Sequence, residues 1–163
     1  MIRVRPLVED DVTWKAESLR RAWSGTAVAR KGELMDALRL DGFVALDDAD
    51  RVGLLTYAVH GDEFEVATIN VNPEGVGAGR ALMDAARVRA EELGARRMWL
   101  TTTNNNFRAF RFYQRWGMDL VAIRREGVAR SREVKPSIPL VDGDGVAIRH
   151  ELEFEVALMN GPS

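Results

Sequence analysis

With 163 residues, 46% hydrophobic and 29% charged, the chain has the length and composition of one globular domain, long enough to bury about two thirds of its unfolded surface without help from a metal or a disulfide. Its net charge of −2 argues against nucleic acid as the main partner, since phosphate binding draws on a basic field, yet leaves room for a basic patch around a small phosphorylated ligand. The absence of cysteine removes disulfides, thiolate zinc sites and a covalent cysteine intermediate.

The chain opens on a short strand, 2–5, ended by Pro6. Glu9, Asp10 and Asp11 suit the first turn of a helix, where carboxylates complement the dipole. That helix is expected to reach Trp23, to turn Val12, Leu19 and Trp23 inward, and to break at Ser24 and Gly25. A second helix is expected over 33–40, with Gly42 beyond its end. The apolar period then changes. Residues 43–46 and 52–59 read as a hairpin turning through Asp47-Asp48-Ala49-Asp50, and 64–71 as a longer strand after His60-Gly61-Asp62.

A glycine-rich loop, 72–79, leads into a helix over 80–93, whose Leu82, Ala86, Ala90 and Leu93 form one apolar stripe. After Gly94 come a strand at 98–101, a helix capped within Asn104-Asn105-Asn106 and running to Trp116, and a strand at 118–123. The basic stretch 124–139 has room for a short helix before Pro136. A turn at 142–145 precedes a last strand, 150–158, in which Leu152, Phe154 and Val156 alternate with Glu151, Glu153 and Glu155, the pattern of a half-buried strand. With no repeat or linker, 1–163 reads as a single domain with a mixed sheet and helices on its faces. No apolar run resembles a signal peptide or a membrane span, so a cytoplasmic location is expected.

The strongest chemical signal is strand, then Gly75-x-Gly77-x-Gly79, then helix. Glycines allow positive φ and close approach of the backbone, and the first turn of a helix offers free N–H groups at a positive dipole end. Together they suit a phosphate. A P-loop would need Lys-Ser/Thr after the last glycine, where this chain has Arg80-Ala81. The dinucleotide fingerprint would need glycine at Arg80.

Val71-x-Pro73, Gly75-x-Gly77-x-Gly79 and Ala81-Leu82 resemble the acyl-CoA motif of the GNAT superfamily. Asn106-x-x-Ala109-x-x-Phe112-Tyr113, followed by Gly117-Met118, resembles a second signature of the same family at the expected distance. The loop is about two residues shorter than usual, and Glu74 stands where the family has Gln or Arg. The resemblance implies a GNAT-type α/β (α+β) fold: a mixed, mostly antiparallel sheet flanked by helices on both faces. It implies an acyl-CoA-dependent N-acetyltransferase that transfers acetyl from acetyl-CoA to a primary amine of a small molecule or peptide, in a family that often forms homodimers. A non-catalytic acyl-CoA-binding module on the same fold is the alternative.

Family roles transfer onto matching positions. Main-chain groups at Gly75, Val76, Gly77, Ala78, Gly79 and Arg80 would hold the pyrophosphate of CoA, and Asn106 its pantetheine arm. Tyr113, two turns further on, would be general acid toward the leaving thiolate; a phenol has a reference pKa of about 10 and a thiol of about 8.5. Backbone amides near Ile69 and Val71 would polarise the thioester carbonyl. An amine with a pKa of about 10.4 must lose a proton before attack, and Glu65, on the strand leading into the loop, is the candidate base. Asp62 and Glu63 are weaker candidates. With no cysteine, and no Gly-x-Ser-x-Gly elbow around Ser18, Ser24, Ser131, Ser137 or Ser163, direct transfer is favoured over an acyl-enzyme. His60 and His150 are too few for a histidine metal site, so no metal is expected. Arg108, Arg111 and Arg115 fall on one helix face, where they would either meet the 3′-phosphate of CoA or stay solvated. Arg124, Arg125, Arg130, Arg132 and Lys135 are either a charged surface or the lining of a pocket for an acidic acceptor. Trp14 and Trp23 are either acceptor-site walls or core.

Overall fold

The computed structural model describes residues 1–158. The last five residues of the expected domain, Ser163 among them, lie outside that range. The elements in chain order are β1 (Ile2–Pro6), α1 (Val12–Trp23), β2 (Ala27–Arg30), β3 (Glu33–Asp36), β4 (Asp41–Asp47), β5 (Asp50–His60), β6 (Glu63–Val71), α2 (Ala78–Glu92), β7 (Arg97–Thr103), α3 (Phe107–Trp116), β8 (Asp119–Arg124), α4 (Gly127–Val134) and β9 (Glu151–Ala157). Seven strands form one sheet in the order β1-β4-β5-β6-β7-β9-β8, while β2 and β3 pair separately. Every neighbouring pair in the large sheet is antiparallel except β6 and β7. This is the mixed, mostly antiparallel sheet with flanking helices that the motifs imply. No helix among the described residues is long and apolar enough to cross a membrane.

The apolar stripe of α2 buries Leu82, Met83, Ala86 and Ala90 against Leu55, Phe64, Met98 and Phe154 on one face of the sheet. Leu19 of α1 packs with Leu54 and Ala37 in a smaller cluster. The parallel pair is short: Glu63, Phe64 and Glu65 pair with Arg97, Met98 and Trp99, and β6 and β7 then stop pairing. Opposite Thr56 and Tyr57 of β5, β6 carries an extra residue, Ala67, a β-bulge that shifts the register near the point where this pairing ends. Bulges bend a strand and strengthen its twist, and here the two strands part to leave a cleft.

Three expectations need correction. The helix over 33–40 is instead β3 followed by a single 3-10 turn at Ala37–Arg39, capped by the Asp36 side chain accepting from Leu38 N–H at 3.1 Å. Positive φ at Lys31 and Gly32 turns the chain from β2 into β3, and tertiary pairing outweighs the local helical spacing. Val12 is 48% exposed, because a 3-10 turn at Glu9–Asp11 rotates the start of α1. The inward residues there include Asp11, whose carboxylate accepts from Arg5 at 2.8 and 3.1 Å, Arg51 at 2.9 Å and Val8 N–H at 2.9 Å.

The third correction concerns β9. It lies inside the sheet, and its glutamate face is covered: Glu151 and Glu153 are 4% and 5% exposed. Glu153 pairs with Arg97 at 2.9 Å, with Lys31 at 3.0 Å and with Arg124. Burial alone would raise the pKa of Glu153, but hydrogen bonds from Arg97, Arg124 and Lys31 outweigh it and bring it down to about 2. A carboxylate depressed in the folded state adds stability that is present above its unfolded pKa and is lost as pH falls through the folded one. Denaturant midpoints are therefore expected to drop between about pH 4.5 and 2. Glu153→Gln should be less stable at pH 7 and lose less across that window; a parallel pH dependence in both proteins would remove Glu153 as a contributor.

Candidate active site

The parted strands open a cleft of about 1110 Å³ that runs from the glycine loop to α4. Ile69 and Val71 of β6 line it, as do Gly75, Gly77, Ala78, Gly79, Arg80, Asn106 and Tyr113. Val76 and Glu65 do not belong to that lining.

At the loop end, Gly75 and Gly77 have φ of 82° and 87°. A Cβ at either would meet nothing, so glycine is required there by the backbone and not by space. Gly77 caps α2, and the first helical hydrogen bond runs from Ala81 N–H to Gly77 O at 3.1 Å. The N–H groups of Ala78, Gly79 and Arg80 precede that bond, so the helix leaves them free at its positive end. Glu74 forms an ion pair with Arg108 of α3, which ties the loop to the helix carrying Tyr113. Arg108 is thus engaged by the protein, whereas Arg111 and Arg115 are exposed.

Asn106 caps α3, its Oδ1 accepting from Ala109 N–H at 3.2 Å. Tyr113 is 7% exposed and packs on Phe112 and Phe154, with centroids 5.5 and 5.7 Å away. Burial pushes its phenol further above the ordinary value, so it stays protonated across neutral pH.

Glu65 is 1% exposed and held on both oxygens. Oε2 accepts from Arg30 Nε and Oε1 from Arg30 Nη2, both at 2.8 Å, and His60 Nε2 lies 2.8 Å from Oε1. Its hydrogen bonds to Arg30 raise the guanidinium pKa. This bidentate pair fastens the β2–β3 hairpin to the sheet, and the Lys31 N–H donating to Glu151 Oε1 at 2.8 Å fastens it a second time. Asp62 and Glu63 pair with Arg96, and Glu63 also with Arg97.

The far half of the cleft is walled by Trp23, Arg30, Ser131, Lys135 and Glu151. Trp14 borders a smaller hollow of about 260 Å³ beside Arg51. Much of the basic segment is committed internally. Arg124 pairs with Glu151 and Glu153, and Arg132 donates to the carbonyls of Ile138, Pro139 and Ile148. Sequence reasoning missed the β2–β3 hairpin and the placement of Glu151; Lys31-Gly32 between two short apolar runs was the available signal for the first. Among the described residues, no group of His, Cys, Asp or Glu gathers as it would around a metal ion.

Comparison with known proteins agrees with the fold. Residues 11–118 match the family model described as Acetyltransferase (GNAT) family. The chain is 32% identical over 133 residues to the uncharacterized protein YdhI of Bacillus subtilis (strain 168), covering 81% of this chain and 83% of that protein. The fold is similar to the ribosomal-protein-S18-alanine N-acetyltransferase of Escherichia coli, with a TM-score of 0.70 and 18% identity over 100% of this chain and 97% of the other. It is also similar to yncA of Salmonella typhimurium, a putative acetyltransferase solved with acetyl-CoA, with a TM-score of 0.72 and 15% identity over 99% and 96%. Motifs, fold and family match agree: the chain belongs to the GNAT family of acetyltransferases.

Proposed function

We propose that the protein, acting as one domain, transfers an acetyl group from acetyl-CoA directly to a primary amine in a ternary complex. The observation that carries this reading is a cleft with an unpaired amide cradle at the N-terminus of α2 and the buried Tyr113 side chain on its wall. The similar Salmonella protein was solved with acetyl-CoA, and the similar E. coli enzyme is named for acetylating an alanine of a ribosomal protein.

The N–H groups of Ala78, Gly79 and Arg80 hold the diphosphate, with Val76 shaping the loop from outside. The Asn106 side chain holds the pantetheine arm, and main-chain amides of β6 near Ile69 and Val71 polarise the thioester carbonyl. The amine nitrogen attacks that carbon, the C–S bond breaks, and the electron pair leaves on sulfur. The Tyr113 hydroxyl donates to the sulfur as charge develops, while the proton lost from the amine passes to water or a carboxylate. Glu65, both of whose oxygens are engaged, acts by holding Arg30 and the hairpin in place. Glu151 also has both oxygens engaged, by Lys31 N–H and Arg124, but unlike Glu65 it lines the cleft and is the carboxylate at its amine end.

Calorimetric titration with acetyl-CoA, followed by thiol release across an amine panel, tests this reading. Gly77→Ala forces a side chain into φ 87°, a strain of about 1–2 kcal/mol, and is expected to weaken acetyl-CoA binding about tenfold. Binding without thiol release from any amine would favour the non-catalytic module. No binding heat at high acetyl-CoA concentration would overturn the assignment.

A further inference from the structure

Trp23 and Ser131 line the cleft, and their Nε1 and Oγ atoms, both buried, have no hydrogen-bond partner among the described residues. Buried polar atoms in folded proteins are nearly always paired, by protein or by ordered water, so unpaired ones on residues of one cleft wall point to groups that a ligand can pair. Ser131 is 3% exposed and lies on the inner side of α4. It has not turned back onto the carbonyl four residues earlier, the usual resort of a helical serine. Lys135 follows four residues later and also lines the cleft.

The Lys135 ammonium donates to the carbonyls of Trp23 and Ala27, the latter at 2.8 Å. An ammonium has three donors, so one N–H is left over. Lys15 clasps the carbonyls of Leu38 and Leu40 in the same manner, and the charges of Asp41 and Asp36 there work against its burial. Lys135 has no such counter-charge: burial alone acts on it and lowers its pKa. An indole N–H and an ammonium can only donate, and the serine hydroxyl can do so. This part of the wall therefore offers two groups that can only donate, a hydroxyl that can donate, and a positive charge, which a carboxylate matches with its several lone-pair sites and its charge.

Acceptor groups stand elsewhere on the wall. Glu151 lies beside the start of α4, where a Cβ on Gly127 would be 3.2 Å from its own Cβ. Asn70 Oδ1, on β6, is buried and unpaired. At 1.5 Å per residue, Ser131 sits about 6 Å along α4 from the Glu151 end. Resting on the acetyltransferase reading, we propose that the acceptor is a small amino-acid-like molecule. Its carboxylate is held by Ser131, Lys135 and Trp23, and its amine is directed to the Glu151 and Tyr113 end of the cleft.

Matched pairs test this: methionine, phenylalanine, glutamate and lysine, each beside its α-amide. Thiol release is the first readout. The second is the Trp23 indole N–H resonance, assigned through Trp23→Phe and followed as each compound is titrated into the protein with and without CoA. The free acids are expected to exceed their amides at least about tenfold in kcat/KM, the worth of one charge-assisted hydrogen bond. They alone should move the Trp23 resonance saturably. Ser131→Ala should raise acceptor KM with CoA affinity and melting temperature unchanged, and Lys135→Met should abolish the preference for acids. Equal or better turnover of the amides, or a Trp23 resonance unmoved by the acids, overturns the proposal. A Lys135 that merely closes the end of α1 would lower stability on substitution while leaving the acid preference intact. If Lys135→Met does not fold, Ser131→Ala decides. Should no amine release thiol, the acetyltransferase reading fails, and the Trp23 titration still decides whether a carboxylate binds.

Discussion

Tyr113→Phe is expected to lower kcat for thiol release by about 10²–10⁴-fold, the range for a lost general acid, with affinity for CoA essentially unchanged. The substitution removes one oxygen and keeps the ring packed on Phe112 and Phe154. No described residue pairs with the phenol oxygen in the hydrogen-bond network, so its removal orphans nothing and the melting temperature should hold. Burial raises the phenol above its ordinary value, so Tyr113 keeps its proton throughout the neutral range, as the proposed general acid must. Steady-state kinetics, calorimetry and a thermal melt of the same preparation separate the three quantities. Turnover intact in Tyr113→Phe would move the acid role to another group.

Glu65→Ala is expected to cost about 3–5 kcal/mol of stability, the usual loss when one member of a buried ion pair is removed. Arg30, with its side chain 11% exposed, would keep only Glu33 at 3.4 Å, and His60 would lose its carboxylate partner. Arg30 and Ala29 form part of the cleft wall, so loosening the hairpin should raise acceptor KM while CoA affinity stays. Glu65→Gln keeps the shape and one acceptor oxygen and should fall between the two proteins. The alternative role, a proton-abstracting base, makes the opposite prediction for Glu65→Gln: native stability and acceptor KM with kcat collapsed. Denaturant unfolding set beside kinetics distinguishes the two.

The loop and the α3 motif could be read from sequence because their physics is local. Three glycines between a strand and a helix, or an asparagine before a helix, act through backbone angles and capping bonds within a few residues. The span 33–40 could not, because its apolar spacing suits a helix while pairing with Ala27–Arg30 decides for a strand. Glu151 and Glu153 misled for a related reason. Alternation says which residues share a face, but not whether that face meets water or a hairpin carrying Lys31.

By itself, then, the sequence determined the family, the strand-loop-helix cradle and the placing of Tyr113 two turns beyond Asn106, since each follows from short-range geometry. Only the tertiary structure decided that β6 and β7 part after three paired residues, that Glu65 is locked to Arg30, and that Ser131 and Lys135 face the same cleft as Glu151. Those outcomes depend on contacts between residues far apart in the chain, where strand order, twist and paired charges choose among arrangements that local periodicity leaves equal.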